Sequence, residues 1–253
     1  MRTMLKRGRR ALVTLLPIFA FLFLNMFGGH MCSVIMGDSI SGTILGDFIL
    51  IGTAGFWYKE MRVPFHRTRD MSVKRGLYFV IILLFTWFAS QAGSLWVSYI
   101  LPGNVADRLS VIQQHWGAYL FLTICVAPIA EELMFRGVFY TQFRKLFNPT
   151  FACIISTAVF SFMHVTPANI YIAVVSGLLF CGAYELTDSL LYNVALHVMY
   201  NVLCVTIGVV PVSNLYIAFA LQVVMWVCIV FLYQKITVKS QMETAAEQAW
   251  MRG

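Results

Sequence analysis

Glu131, His164 and His197 are side chains of the types that take up and release protons, and each lies in a run of residues that is otherwise apolar. The stretch APIAEELMFRGVFY, Ala127 to Tyr140, holds two adjacent acids and one base, Glu131, Glu132 and Arg136. On a helix, Glu132 and Arg136 are four apart and share a face, with the acid on the N-terminal side, the favourable order for an ion pair. Glu131 falls about 100° round the same helix. Arg136 is therefore expected to hold Glu132, leaving Glu131 as the carboxylate that burial can tune for proton transfer. FSFMH sets Phe160 four residues before His164, and HVMYN sets His197 four before Asn201, so each pair also shares a helix face. A structural ion pair would account for Glu132 and Arg136 but not for the second acid. One buried histidine is most simply a hydrogen-bonded packing residue. Two histidines together with an asparagine and a second glutamate point to chemistry.

The elements that must position these groups are membrane helices. Of 253 residues, 60% are hydrophobic and 11% charged, which describes an integral membrane protein. A spanning helix needs about 20 apolar residues. Apolar segments run over residues 11–27, 40–58, 76–101, 116–140, 151–165, 170–186, 190–210 and 215–233. The expected fold is all-α: a polytopic membrane protein of about eight transmembrane helices in one bundle around a polar cavity. A single membrane domain would cover 1–253, with the motifs in 118–210. An ionised group mid-membrane costs about 2.5–3.5 kcal/mol, so Glu131, Glu132 and Arg136 would cost on the order of 8–10 unless paired or hydrated. They should face the bundle interior. Pro128, lacking a backbone donor, is expected to kink its helix just before the acids. Counting from the expected cytoplasmic ends at about 1.5 Å per residue, Glu131 and His164 lie about 20 Å along their helices and His197 about 14 Å, one common level. HVTPAN, between the fifth and sixth segments, suggests a tight hairpin.

The net charge of +7 follows topology rather than a nucleic-acid surface. Basic residues collect before the first segment (Arg2, Lys6, Arg7, Arg9, Arg10), between the second and third (Lys59 to Arg75), after the fourth (Arg144, Lys145) and after the eighth (Lys235, Lys239). Of the expected outer connections, only one holds a basic residue, Arg108. An even number of crossings with both termini cytoplasmic explains this, and the first segment reads as a retained helix rather than a removed signal. Cys125, Cys153, Cys181, Cys204 and Cys228 are expected as buried small apolar groups, and Cys32 in an outer loop; no CxxC pair suggests a disulfide framework or thiolate metal site. His30, His66 and His115 fall in connecting segments, Asp47 and Glu185 are the other carboxylates within the segments, and Gly42 with Gly46 reads as ordinary helix packing.

Glu131, Glu132 and Arg136 as EExxxR, Phe160 and His164 as FxxxH, and His197 and Asn201 as HxxxN, in that order on separate apolar helices, resemble the CAAX prenyl protease and bacteriocin-processing (CPBP, or Abi) family of intramembrane endopeptidases. The resemblance covers roughly 118–210, with Asp188 and Tyr192 standing where glycine and tryptophan or proline are more usual, a difference that touches the local turn. It implies hydrolysis of a peptide bond in a membrane-associated protein or peptide, such as a prenylated CAAX protein or a bacteriocin or pheromone precursor. Glu131 with His164 would polarise the water, His197 with Asn201 would donate to the oxyanion, Glu132 and Arg136 would hold the arrangement, and Phe160 would pack on the His164 ring.

A metal is the open point. Glu131, His164 and His197 could form a zinc set with a position for water, but HExxH is absent and asparagine is a poor zinc ligand. The reading leans to a metal-free, glutamate-dependent reaction. Two rivals use the same residues: a non-catalytic self-immunity or regulatory membrane protein, and a proton-coupled transporter, for which paired broken helices are missing. The partners in either protease case are lipid and a membrane-associated peptide.

Overall fold

The computed structural model describes Leu22 and residues 27–61, 73–101, 112–164, 166–207 and 215–250. Among these residues, besides a short helical turn at 112–114, eight longer helices follow one another: α1 (Phe27–Met36), α2 (Ser39–Glu60), α3 (Val73–Ile100), α4 (Trp116–Phe143), α5 (Pro149–Phe162), α6 (Pro167–Thr187), α7 (Leu190–Thr206) and α8 (Leu215–Trp250). Four of the described spans, Ser39–Glu60, Phe79–Ile100, Trp116–Phe143 and Pro167–Thr187, are long and apolar enough to cross a membrane, and shorter apolar helices accompany them. The protein is an all-α, multi-pass membrane protein. The first expected helix, apart from Leu22 and Phe27, lies outside the described residues, as do His66 and Arg108.

Caps written into the sequence set the helix starts. Asp38 accepts from Ser41 N at 2.8 Å, Asn148 from Phe151 N at 2.8 Å and Thr166 from Asn169 N at 3.2 Å. Proline follows directly in the last two, at Pro149 and Pro167, where its missing donor costs nothing. Asp188 ends α6 in the left-handed region, φ 52°, a conformation that favours glycine, and Ser189 then caps α7 through Tyr192 N. The turn is thus kept without the usual glycine.

α1, α2 and α4 form one compact unit. α1 corrects the expectation for its segment: His30 and Cys32 lie on a helix rather than in connections, and Cys32 is buried. The contact of α1 with α2 needs a bare backbone at Gly42. A Cβ on Gly42 would collide with the Ser33 backbone, whereas one on Gly46 would sit in ordinary contact, 3.5 Å from Gly29 Cα. Gly37, at φ 76°, makes the turn between α1 and α2 and donates to Ser33 O at 3.1 Å. Along α2 and α4, Leu133 faces Gly55, the Tyr58 ring faces Gly137, and Gln142 Nε2 donates to Met61 Sδ at 2.9 Å. The pairs advance together, so these two helices run parallel, as alternate crossings of one membrane must.

α3 and α5 to α8 form the second unit. Its core joins Phe79, Leu83 and Trp87 of α3 to Leu179, Phe180 and Ala183 of α6, Leu196 and Tyr200 of α7, and Leu232 of α8. Apolar burial gives little drive between helices in lipid, so close approach and buried polar bonds carry more of the association. One such tie joins three helices: the Tyr171 hydroxyl donates to Gln222 Oε1, and Gln222 Nε2 donates to Ala89 O. Gly93 makes the room, because a Cβ there would collide with both side chains. α8 continues well past residue 233, where the apolar segment was expected to end. Cys153 and Cys181 are buried as expected, whereas Cys125 is exposed, on the outward side of a helix whose own apolar residues suit lipid.

Candidate functional site

In the first unit the acids sit on a short α-helical stretch, Ala127–Glu132, flanked by π-helical turns at Leu122–Val126 and Leu133–Tyr140. Beside Pro128, whose ring nitrogen cannot donate, the backbone widens its ladder into these π turns. Arg136 Nη1 donates to Glu132 Oε1 at 2.8 Å, and both residues are fully buried. The i, i+4 pairing therefore survives the π turn. At about 4.4 residues per turn instead of 3.6, four positions still return to nearly the same face. Glu131 lies on a different part of the helix surface and is half-buried. Asp47 of α2, on the face that carries the buried Leu50, Ala54 and Tyr58, is near enough for its charge to be felt at Glu131.

In the second unit, α5 stops at Phe162, so His164 lies just past the helix end rather than inside it. Thr166 precedes Pro167 and is held extended, which closes off helix continuation. The FxxxH contact forms nonetheless: the Phe160 and His164 rings meet edge to face with centroids 4.9 Å apart. His164 Nδ1 lies 3.1 Å from Phe160 O. A carbonyl only accepts, so Nδ1 carries the proton, and in the neutral ring the lone pair is on Nε2.

His197 is buried on α7, and Asn201, one turn on, is half-buried. The His197 ring stacks on Phe180 at 4.6 Å and 26°, and Phe160 meets it edge-on at 6.3 Å. Phe160 thus touches both histidines. Phe180 was missed by sequence reasoning: it stands in a uniformly apolar run of α6, and only the packing of α6 against α7 reveals its role. Asn193, fully buried one turn before His197, was missed too, although its i, i+4 spacing was a usable signal. Among the described residues no three His, Cys, Asp or Glu side chains gather as a metal-holding group.

Residues 113–203 match the model for type II CAAX prenyl endopeptidase Rce1-like proteins. All seven candidate residues, Glu131, Glu132, Arg136, Phe160, His164, His197 and Asn201, fall inside that segment. Together with the all-α multi-pass fold, this match over the segment that carries the three motifs supports a CPBP-family protein. The chain is also 26% identical over 95 residues to "Putative membrane peptidase YdiL" of Bacillus subtilis (strain 168), across 38% of this chain and 39% of that protein. The similarity thus spans about two fifths of the relative's length. No solved structure matches the chain significantly.

Proposed function

We propose that the chain is an intramembrane endopeptidase that hydrolyses a peptide bond in a membrane-anchored protein or peptide. The observation that carries the reading is the matched segment, which holds all three motifs and the buried Glu132–Arg136 pair. Arg136 neutralises Glu132, so a second carboxylate at Glu131 is not required for that ion pair. Glu131 is the proposed base that takes a proton from water as the oxygen adds to the scissile carbonyl carbon, and His164, whose Nε2 keeps its lone pair, is a second proposed acceptor. His197 and the Asn201 amide donate to the resulting oxyanion. Collapse breaks the C–N bond, the proton passes to the departing amine, and the products are a carboxylate and a free amine.

The substrate class that suits such a site is a peptide tethered at the bilayer, a prenylated CAAX-type tail or a bacteriocin or pheromone precursor. With basic residues at Lys59, Arg144, Lys145 and Lys235 following alternate helices, both termini face the cytoplasm. The test is cleavage of a farnesylated CAAX peptide by the purified chain in lipid nanodiscs. Glu131→Gln is expected to abolish turnover while leaving membrane levels normal. Unchanged biological activity in Glu131→Gln cells would instead favour a scaffold, and loss of ion or solute flux a transporter.

A further inference from the structure

Ser90 and Tyr200 have no place in the three motifs, yet they join α3 to the helix that carries His197 and Asn201. Both are buried, and their hydroxyl oxygens lie 2.5 Å apart. The Ser90 proton is already committed to Trp87 O at 2.8 Å, so Tyr200 is the donor in this bond. Four residues along α7, Cys204 Sγ accepts from Gln91 Nε2 at 3.4 Å, so the adjacent pair Ser90 and Gln91 grips one edge of α7 at two successive turns. Tyr200 is three residues from His197 and about 60° from it round the helix. Its ring meets Phe180 edge-on at 5.8 Å and 88°, and Phe180 is the ring on which His197 stacks at 4.6 Å.

We propose that Tyr200 is a positioning residue for His197: its hydroxyl, anchored on Ser90, fixes the rotation of α7 and the tilt of Phe180, and through them the plane of the His197 ring. Contact runs from Ser90 to Tyr200, Phe180 and His197 without a gap, entirely within α3, α6 and α7. The catalytic consequence rests on the peptidase reading above; the placement of the ring does not.

The experiment uses the full chain in lipid nanodiscs with 15N-labelled histidine, the imidazole signals being assigned by replacing His164 and His197 in turn with glutamine. Tyr200→Phe, which removes one oxygen and keeps the ring, is expected to shift the His197 signals and leave those of His164 in place. Ser90→Ala breaks the same bond from α3 and serves if the tyrosine variant does not accumulate; Ser90→Thr keeps a hydroxyl and restores the native spectrum. The double variant moves His197 no further than either single one, because both remove one interaction. On a farnesylated peptide, Tyr200→Phe lowers kcat about tenfold with KM unchanged, the cost of a slightly misaligned donor. Native His197 signals in Tyr200→Phe overturn the proposal. Shifted signals in a chain whose native form cleaves nothing overturn the peptidase reading and support the placement.

Discussion

A carboxylate and a guanidinium 2.8 Å apart, both out of reach of solvent, make a pair whose halves are not separable. Each ion offsets the desolvation cost of the other, and removing one leaves the other uncompensated. Arg136→Ala is therefore expected to destabilise the protein by about 3–5 kcal/mol, whereas replacing both partners with apolar residues, Glu132→Leu with Arg136→Met, should recover most of that loss. Thermal unfolding in detergent measures both, and equal midpoints for the single and double variants would show that the pair is not what stabilises α4. At the same scale, the edge contact between Phe160 and His164 together with the Nδ1 bond to Phe160 O makes one residue the support of ring position and tautomer alike.

At the scale of elements, the start of α2 carries a charge that acid removes. Asp38 lies outside the membrane span, and its carboxyl is held below the ordinary range first by the Ser41 backbone N–H, then by the Ser41 hydroxyl, with a smaller contribution from His115. A carboxyl whose folded value is depressed stabilises the fold above its unfolded value, about 4, and loses that contribution as pH falls through the folded value. Acidification below about pH 4 should thus lower the unfolding midpoint of the native chain more than that of Asp38→Ala, and parallel pH curves for the two would show that the cap does not titrate. This cap, and those at Asn148 and Thr166, are local signals that the sequence displays openly. The π turns on either side of the acids are not, because no residue pattern distinguishes them from an α-helix of the same composition.

For the whole molecule, most of the architecture was legible because membrane helices announce themselves by apolar length, and their boundaries came within a few residues from α2 to α7. The Glu132–Arg136 bond was legible for a related reason: it depends on four positions of one helix and nothing distant. α1 was misread because its ten residues, Phe27–Met36, are too few to show as a spanning segment by apolar length. The ties among α3, α6, α7 and α8 were illegible on other grounds. Ser90 and Tyr200 are 110 positions apart, and Tyr171 and Gln222 are 51 apart, each in an apolar run with no periodic signal naming its partner.

One rod of the molecule outgrows the bilayer. At about 1.5 Å per residue the 36 residues of α8 extend about 54 Å, against a hydrocarbon layer of about 30 Å. Its apolar stretch is Phe219–Leu232, so the excess falls at the carboxyl end, where Lys235 stands exposed. With the carboxyl end in the cytoplasm, as proposed, a lysine-specific protease should clip this stalk in inside-out vesicles and spare it in intact cells; cleavage from the cell exterior would reverse the proposed orientation. Longer than its apolar stretch requires, the stalk is also a mast: a fluorophore or antibody epitope mounted near its tip would report on the membrane-embedded machinery from a distance.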